Sequence, residues 1–577
     1  MSEVLLSRDH LNFLLFDWLQ VDAHGTIDRE TAGAVLDLSV QLATDAFLPH
    51  YREADIVEPR LEADGVHILP AIRSALTAYR DLGLFGASFP EALGGMGLPQ
   101  SIALGVFGIF ASANVSTTGY AMLTAANARL LCAFGTPAQI DTFAKPEIEG
   151  RWFGTMCLSE PQAGSSLGDV RTRATPDGED TLGPRYRVRG NKMWISGGDQ
   201  DASENIVHLV LAKIAQPDGS LPDGSRGISL FIVPKWLPHG ARNDVAVAGL
   251  NHKMGYRGTA NCLLNFGEAD GAVGWRVGPE GQGLAQMFMM MNEARISVGM
   301  GAAALGYRGY RHAVRYAQER LQGRALGVSG GAPIAIIDHP DVRRMLLQQK
   351  AYAEGALALC LYCAHLVELD DPVDRALLAL LTPVAKSWPS EFGLIANDLA
   401  IQVHGGYGYT RDFDVEQLWR DNRLNPIHEG TTGIQGIDLL RRKILLSDGE
   451  ALKRLVARIT DTANPAMEDP ANACHAAALL AFWLQVDLVI ADLRAIDSPR
   501  ALDEATLFLR AIGHGIVAWL WLDQAICAAR TPLPANAGVP AVCRFFFETE
   551  LPQASVWLDI VARRSGDGDA VPVEAFA

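Results

Sequence analysis

At 577 residues the chain exceeds the roughly 100–200 residues of one domain, and an apolar fraction of 49% can fill several cores. A formal net charge of -17 argues against a nucleic-acid partner, which would require a basic face. It leaves room for a small anionic ligand held by a few local arginines.

Residues 1–20 mix Arg8, Asp9 and Asp17 with Leu and Phe and lack a signal-peptide cleavage site. From there to about Gly150, apolar residues recur at helical spacing, as in Thr31–Leu48, Pro70–Leu84 and Ser101–Phe134. The pattern then changes to short β-rich runs: Trp152–Ser159, Tyr186–Ser196, Ile206–Ile214, Ile228–Trp236, Asp244–Leu250 and Asn261–Phe266. Clusters of Gly, Asp and Pro separate them, which predicts a β-barrel or sandwich. Helical periodicity returns at Gly281 and holds to about residue 446. Within it, Gly299–Ala304 matches a dinucleotide-binding fingerprint in letters only. Its flank MFMMMNEARIS reads as helix rather than strand, so close helix packing accounts for the glycines. Cys360 and Cys363 form a C-x-x-C in Ala/Leu-rich helical sequence, where core packing is a better account than zinc or redox chemistry. A further Ala-, Leu- and Trp-rich helical block, Leu452–Arg564, precedes a polar tail. No unbroken apolar run reaches the ~18 residues of a bilayer span.

The expected fold class is α+β multidomain. It comprises an N-terminal helical domain (1–150), a central β domain (151–278), a helical bundle (279–446) and an additional C-terminal helical domain (447–577). The expected location is cytoplasmic, with no membrane span, no nucleic acid and no metal.

Five stretches carry chemistry. Asn397–Leu440 gathers Gln402, Gly405, Gly406 and Gly408 with His428-Glu429-Gly430-Thr431-Thr432. Glycines admit backbone N–H groups to a flat or phosphate-bearing ligand, and Glu429 follows an Asn-Pro turn. A helix–loop–helix with a capping Thr fits the same letters. Met156–Gly168 offers hydroxyls and open amides after a strand, or else a polar turn. Trp194 and Ser196, two apart on a strand, share a face, although a core Trp beside a surface Ser reads the same way. In Asn292–Ile296, Arg295 alone on an apolar helix is usually a snorkelling surface residue. In Tyr316–Arg324, Arg320 and Gln322 could reach a phosphate, which guanidinium matches in a bidentate way.

Taken together, residues 40–446 resemble the acyl-CoA dehydrogenase family, with these five motifs in the family's order. The extra segments at both ends are similar to those of the larger bacterial subgroup, which includes enzymes acting on 3-methylmercaptopropionyl-CoA. The resemblance implies FAD-dependent α,β-dehydrogenation of an acyl-CoA, with Glu429 as the base. Ala294 stands where some subgroups carry that Glu, and Glu293 is expected to point elsewhere. Flavin contacts are implied for Met156, Leu158, Ser159, Gly164, Ser165, Trp194, Ile195, Ser196, Gln402, Gly405, Gly406, Thr431 and Thr432, with Arg320 and Gln322 reaching the flavin of a neighbouring subunit. Substrate contacts are implied for Ser165, Asn292, Arg295 and Gly430. Electron-transferring flavoprotein is the implied acceptor, and the implied assembly is a homodimer or homotetramer. Gln417 departs from the pattern where Lys or Arg is usual, Ser166 stands in place of an Asp, and Gly323 in place of a Phe. An acyl-CoA oxidase and a flavin-bearing DNA-associated stress protein of the same superfamily remain as alternatives.

Overall fold

The computed structural model describes residues 2–24, 27–369, 371–496, 499–563 and 571–577. They divide into two compact units, Ala34–Pro99 with Ile109–Ala294, and Met1–Gly33 with Gln100–Gly108 and Arg295–Ala577. The expected order of helical, β, helical and helical segments is observed.

In the first unit, a hairpin of β1 (Arg60–Glu62) and β2 (Gly65–His67) interrupts sequence expected to be helical throughout. Eight further strands follow: β3 (Trp152–Cys157), β4 (Arg173–Asp180), β5 (Gly183–Ser196), β6 (Asn205–Ile214), β7 (Ile228–Pro234), β8 (Val245–Leu250), β9 (Asn261–Phe266) and β10 (Ala272–Val277). β4 and β10 are absent from the sequence reading. RATPDGED reads as a turn, and the sheet extends through it only because β5 pairs along it with a register shift between Pro176 and Glu179. Strand β10 pairs with both β7 and β5, so the order β10-β7-β6-β4-β5 closes on itself as a barrel. Closure removes unpaired edges. Strands β6 and β7 are buried at every residue, which is why they read as continuous apolar runs rather than alternating ones. Val207, Leu209, Leu211, Leu230 and Ile232 form the core with Leu130, Leu131 and Phe143.

The second unit is helical. The long helices in chain order are α1 (Gln100–Phe134, which leaves this unit after Gly108), α2 (Gly283–Glu319, which enters it at Arg295), α3 (Pro340–Glu368) and α4 (Pro372–His404). Then come the short α5 (Val415–Asn422) and α6 (Thr432–Ile437), and a C-terminal group, α7 (Glu450–Ala466), α8 (Ala473–Arg494), α9 (Ala505–Arg530) and α10 (Leu551–Arg563). Proline opens α4 where its missing N–H costs nothing, and the Asp371 carboxylate caps it by accepting from Val373 N at 2.7 Å. Cys360 and Cys363 are buried and unbonded to each other in α3, as core packing requires.

The expectation of no bilayer-length apolar helix needs correcting. α1, α8 and α9 are each long and apolar enough to cross a membrane by length and composition. Small and hydroxylated residues interrupt their apolar runs without making them polar overall. In α1 and α9, 89% and 83% of the most apolar window is buried within the protein, against 44% in α8.

Gly299 shows what the fingerprint-like glycines do. A Cβ built there would lie 1.9 Å from the Ala385 carbonyl oxygen of α4, so α2 and α4 touch backbone to backbone at this point. Gly299→Ala is expected to destabilise the helical unit by about 1–3 kcal/mol, the usual cost of overpacking. Calorimetry of the two proteins would read it as a lower unfolding temperature, and an unchanged transition would refute the packing role.

Candidate active site

Glu429 lies in the loop between α5 and α6. Its backbone is left-handed, with φ +55, and Gly430 follows at φ +92. For a residue with a Cβ this conformation costs about 1–2 kcal/mol, so other contacts must hold it. Gln435 Nε2, from α6, donates to the Glu429 carbonyl at 2.9 Å, and Lys386 Nζ, from α4, donates to the Gly430 carbonyl at 2.8 Å. A ladder of amides holds the other side. His428 Nε2 donates to Asn425 Oδ1 (3.0 Å), Asn425 to Asn422 Oδ1 (2.9 Å), and Asn422 to Asn397 Oδ1 (2.7 Å). Asn422 and Asn397 also donate to the backbone of α2, at Ala302 and Leu305. Thr431 caps α6 through its hydroxyl, with Thr432 the first residue of that helix.

Burial is the largest influence on the Glu429 carboxyl and pushes its pKa above the ordinary range, while Arg295 and Lys386 pull it partly back. Burial brings Lys386 down to about 7, against the upward pull of Glu429. Burial likewise takes His428 down to about 3, so it is neutral near pH 7. Arg295 is not the snorkelling surface residue its surroundings in sequence suggest. It is buried and paired with Asp438 at 3.1 Å. Glu293 does point elsewhere, into an ion pair with Arg129 at 2.7 Å. The Asn292 side chain lies outside the described residues.

The β unit brings together a second group of implied residues. Met156, Leu158 and Ser159 are half-buried at the end of β3, whereas Gly164 and Ser165 are exposed in the loop that follows. Beneath this loop lies a buried ion pair that the sequence reading missed. Lys192 Nζ donates to Glu160 Oε1 and to the Leu158 carbonyl, both at 2.9 Å. Glu160 also accepts from the backbone of Arg171 and Thr172 and from the Thr172 hydroxyl. Met193 N donates to the Ser159 carbonyl at 3.0 Å, tying the loop to β5 just before Trp194. Trp194 departs from the expected regular strand. Register shifts between Lys192 and Ile195, Trp194 has φ +66, and its side chain is 59% exposed. A bulge presents the ring, so strand alternation does not explain its direction. Ile195 is buried, which leaves only its backbone for a ligand. Ser196 Oγ accepts from Asn261 Nδ2 at 3.1 Å.

In the helical unit, Arg320 and Gln322 are exposed and adjacent, and the Arg320 guanidinium lies 6.0 Å from the Tyr407 ring. Tyr407 belongs to the turn Gly405–Tyr409. Gln402, Gly405 and Gly406 are exposed beside it, and a Cβ on either glycine would meet nothing within 4 Å.

The sequence matches the N-terminal, middle and C-terminal domains of acyl-CoA dehydrogenases over residues 39–151, 155–269 and 281–444. Residues 455–569 match the acetyl-CoA dehydrogenase C-terminal-like domain. 3-Methylmercaptopropionyl-CoA dehydrogenase of Ruegeria pomeroyi is 35% identical over 90% of this chain and 89% of its own. The chain belongs to the acyl-CoA dehydrogenase family. The broad-specificity linear acyl-CoA dehydrogenase FadE5 of Mycobacterium tuberculosis is 33% identical over 95% of the chain and 94% of that protein. The fold is shared with Caenorhabditis elegans ACDH-11, in complex with C11-CoA (TM-score 0.78, 20% identity, 92% of this chain and 90% of that one). It is shared also with a Bacillus anthracis acyl-CoA dehydrogenase complexed with FAD (TM-score 0.73, 21% identity, 92% and 87%).

This acyl-CoA dehydrogenase is therefore an FAD-dependent flavoprotein oxidoreductase. Its residues fit that cofactor. Within the β unit a bulge turns an exposed Trp194 outward, and within the helical unit the open glycines beside Arg320 suit a phosphate-bearing ligand.

The pair under the first loop sets an acid limit on the β unit. Burial opposes ionisation of Glu160, but Lys192 and the donors from Thr172 and Arg171 outweigh it and hold the carboxyl at about 2. Because this lies below the ~4.3 of an unfolded Glu, the stabilisation is fully present above that pH and is lost as pH falls toward 2. Glu160→Gln leaves the Lys192 charge unpaired and is expected to cost about 3–5 kcal/mol near neutral pH. Denaturant titrations at neutral and acidic pH would show the variant weaker at neutral pH and less acid-sensitive than the parent.

Proposed function

We propose that the enzyme removes hydrogen across the α,β bond of an acyl-CoA thioester, with Glu429 as the base. The observation that carries this reading is the Glu429 carboxyl itself. It is set on a strained, doubly clamped backbone, and burial raises its affinity for a proton. The Glu429 carboxylate takes the α-proton, breaking the C–H bond and forming O–H. The Glu429 main-chain N–H donates to the thioester oxygen as negative charge develops there, a contribution of about 2.7–4 kcal/mol for a donor of this type. Arg295 and Gly430 of the helical unit would meet the thioester, and Ser165 of the β unit the pantetheine. When bound, FAD supplies the hydride acceptor. Met156, Leu158, Ser159, Trp194 and Ser196 are the β-unit residues that would contact it, and Thr431, Thr432 and Gln402 those of the helical unit.

The substrate proposed is 3-methylmercaptopropionyl-CoA, giving methylthioacryloyl-CoA. The Ruegeria pomeroyi relative supports it, and the FadE5 likeness makes straight-chain acyl-CoAs the competing class. Anaerobic titration with both classes, followed by flavin bleaching, separates them. Electrons would pass to an electron-transferring flavoprotein in the cytoplasm.

Glu429→Gln preserves shape and removes the proton acceptor. FAD and acyl-CoA should still bind, while flavin reduction slows by at least about 10²–10⁴-fold. Retention of more than about a tenth of the parental rate, far above that range, would place the base elsewhere.

The exposed Arg320, Gln322, Gly405 and Gly406 support a homodimer or homotetramer in which they meet the flavin pyrophosphate of a second subunit. Arg320→Ala should lower FAD retention on gel filtration. A parent protein that is monomeric at full flavin occupancy would overturn this assembly.

A further inference from the structure

We propose that Lys386 and Gln435 are positioning residues for the reaction, clamping the peptides on the C-terminal side of the Glu429 Cα, and that Lys386, when protonated, adds to Arg295 a positive charge that favours the ionised base before proton transfer. The inference rests on Glu429 being that base.

The geometry of the clamp comes first. Two consecutive carbonyls, those of Glu429 and Gly430, each receive a side-chain N–H from a different helix, α6 and α4. Gln435 Nε2 also lies 3.5 Å from the Gly430 oxygen. The fit is tight, since a Cβ on Gly430 would come within 2.6 Å of Gln435 Nε2. Left-handed backbone at a residue bearing a Cβ persists only where neighbours over-determine it. Here the neighbours are these two donors and the amide ladder behind His428.

The identity of one donor points further. A buried carbonyl can be satisfied by a neutral amide, as Gln435 does for Glu429, and burying an ammonium is far more costly. Yet Lys386 is fully buried, and among the described residues no carboxylate lies within ion-pair distance of its Nζ. The other charges nearby are already matched. Arg295 of α2 is paired with Asp438, and Glu391 of α4 with Arg510 of α9 through two contacts of 2.9 and 3.0 Å. His428, on the loop, is neutral near pH 7. Arg295, despite its pair with Asp438, is the first charge to favour the Glu429 carboxylate, and Lys386 adds to it. No proton passes between Lys386 and Glu429 in this scheme. The lysine acts by its field and its hydrogen bond.

The two roles separate experimentally. Lys386→Met removes charge and clamp, Gln435→Leu removes clamp alone, and Lys386→Arg keeps the charge. Each would be studied as FAD-loaded full chain by stopped-flow flavin reduction against pH, using the acyl-CoA that bleaches the parent fastest. Acyl-CoA affinity would be measured by calorimetry, and amide hydrogen exchange of residues 427–432 in substrate-free protein. Lys386→Met is expected to lower the limiting reduction rate by about 10- to 100-fold, as misplacement of a reacting group does. It should also move the acid limb of the pH profile upward and speed exchange in the loop, with acyl-CoA affinity little changed. Gln435→Leu should lower the rate and speed exchange while leaving the acid limb in place, and Lys386→Arg should keep the parental limb. An unmoved acid limb in Lys386→Met, or parental exchange in both clamp variants, overturns the proposal. If Lys386→Met fails to fold, a parental rate and exchange in Gln435→Leu overturns it instead. Glu429→Gln run in parallel identifies the other failure, because parental reduction by that variant defeats the base assignment itself.

Discussion

The left-handed backbone at Glu429 is the constraint on which the chemistry proposed for the helical unit depends. A carboxylate can abstract a proton only from a fixed position, and a loop between two short helices has little intrinsic rigidity. The protein supplies rigidity from outside the loop. Donors on α4 and α6 grip its carbonyls, and an amide ladder ties it to the α2 backbone. Gly299 serves the same end from a distance. By admitting α2 to contact with the Ala385 carbonyl, it brings the helix bearing Arg295 against the helix bearing Lys386.

Each unit uses a buried lysine on backbone carbonyls, in different electrostatic settings. Lys192 holds the Leu158 carbonyl and has Glu160 as a full counter-ion, itself saturated with donors. That arrangement is a static support under the loop before Ser165. Lys386 holds the Gly430 carbonyl without such a partner, and its proton is correspondingly looser. A paired buried charge stabilises one geometry, whereas an unpaired one responds to whatever charge changes beside it.

Several side chains were legible in sequence only as types. Arg295 stands on an apolar helix, where solvent exposure is the ordinary expectation, and only the later Asp438 explains its burial. Trp194 and Ser196 invited an argument from strand alternation, which a single bulge defeats because one inserted residue reverses the facing of those around it. Glu160, Lys192, Lys386 and Gln435 gave no sign of their roles. Each is one polar residue in an ordinary context, and its partner lies tens of residues away or on another element. The missed strands β4 and β10 have the same origin. Their letters favour turns, and pairing with β5 overrides them.

By itself the sequence determined the family and the order of helical and β segments, and it marked the carboxylate in His428–Thr432 as the candidate base. These depend on local periodicity and on contiguous motifs, which survive in one dimension. Only the tertiary structure decided that the barrel closes, that the Trp194 ring faces outward, and that Lys386 and Gln435 clamp the carbonyls at Glu429 and Gly430. Those facts rest on strand pairing, burial and hydrogen bonds between residues far apart in the chain. Such contacts set backbone strain and proton affinity, and no linear spacing encodes them.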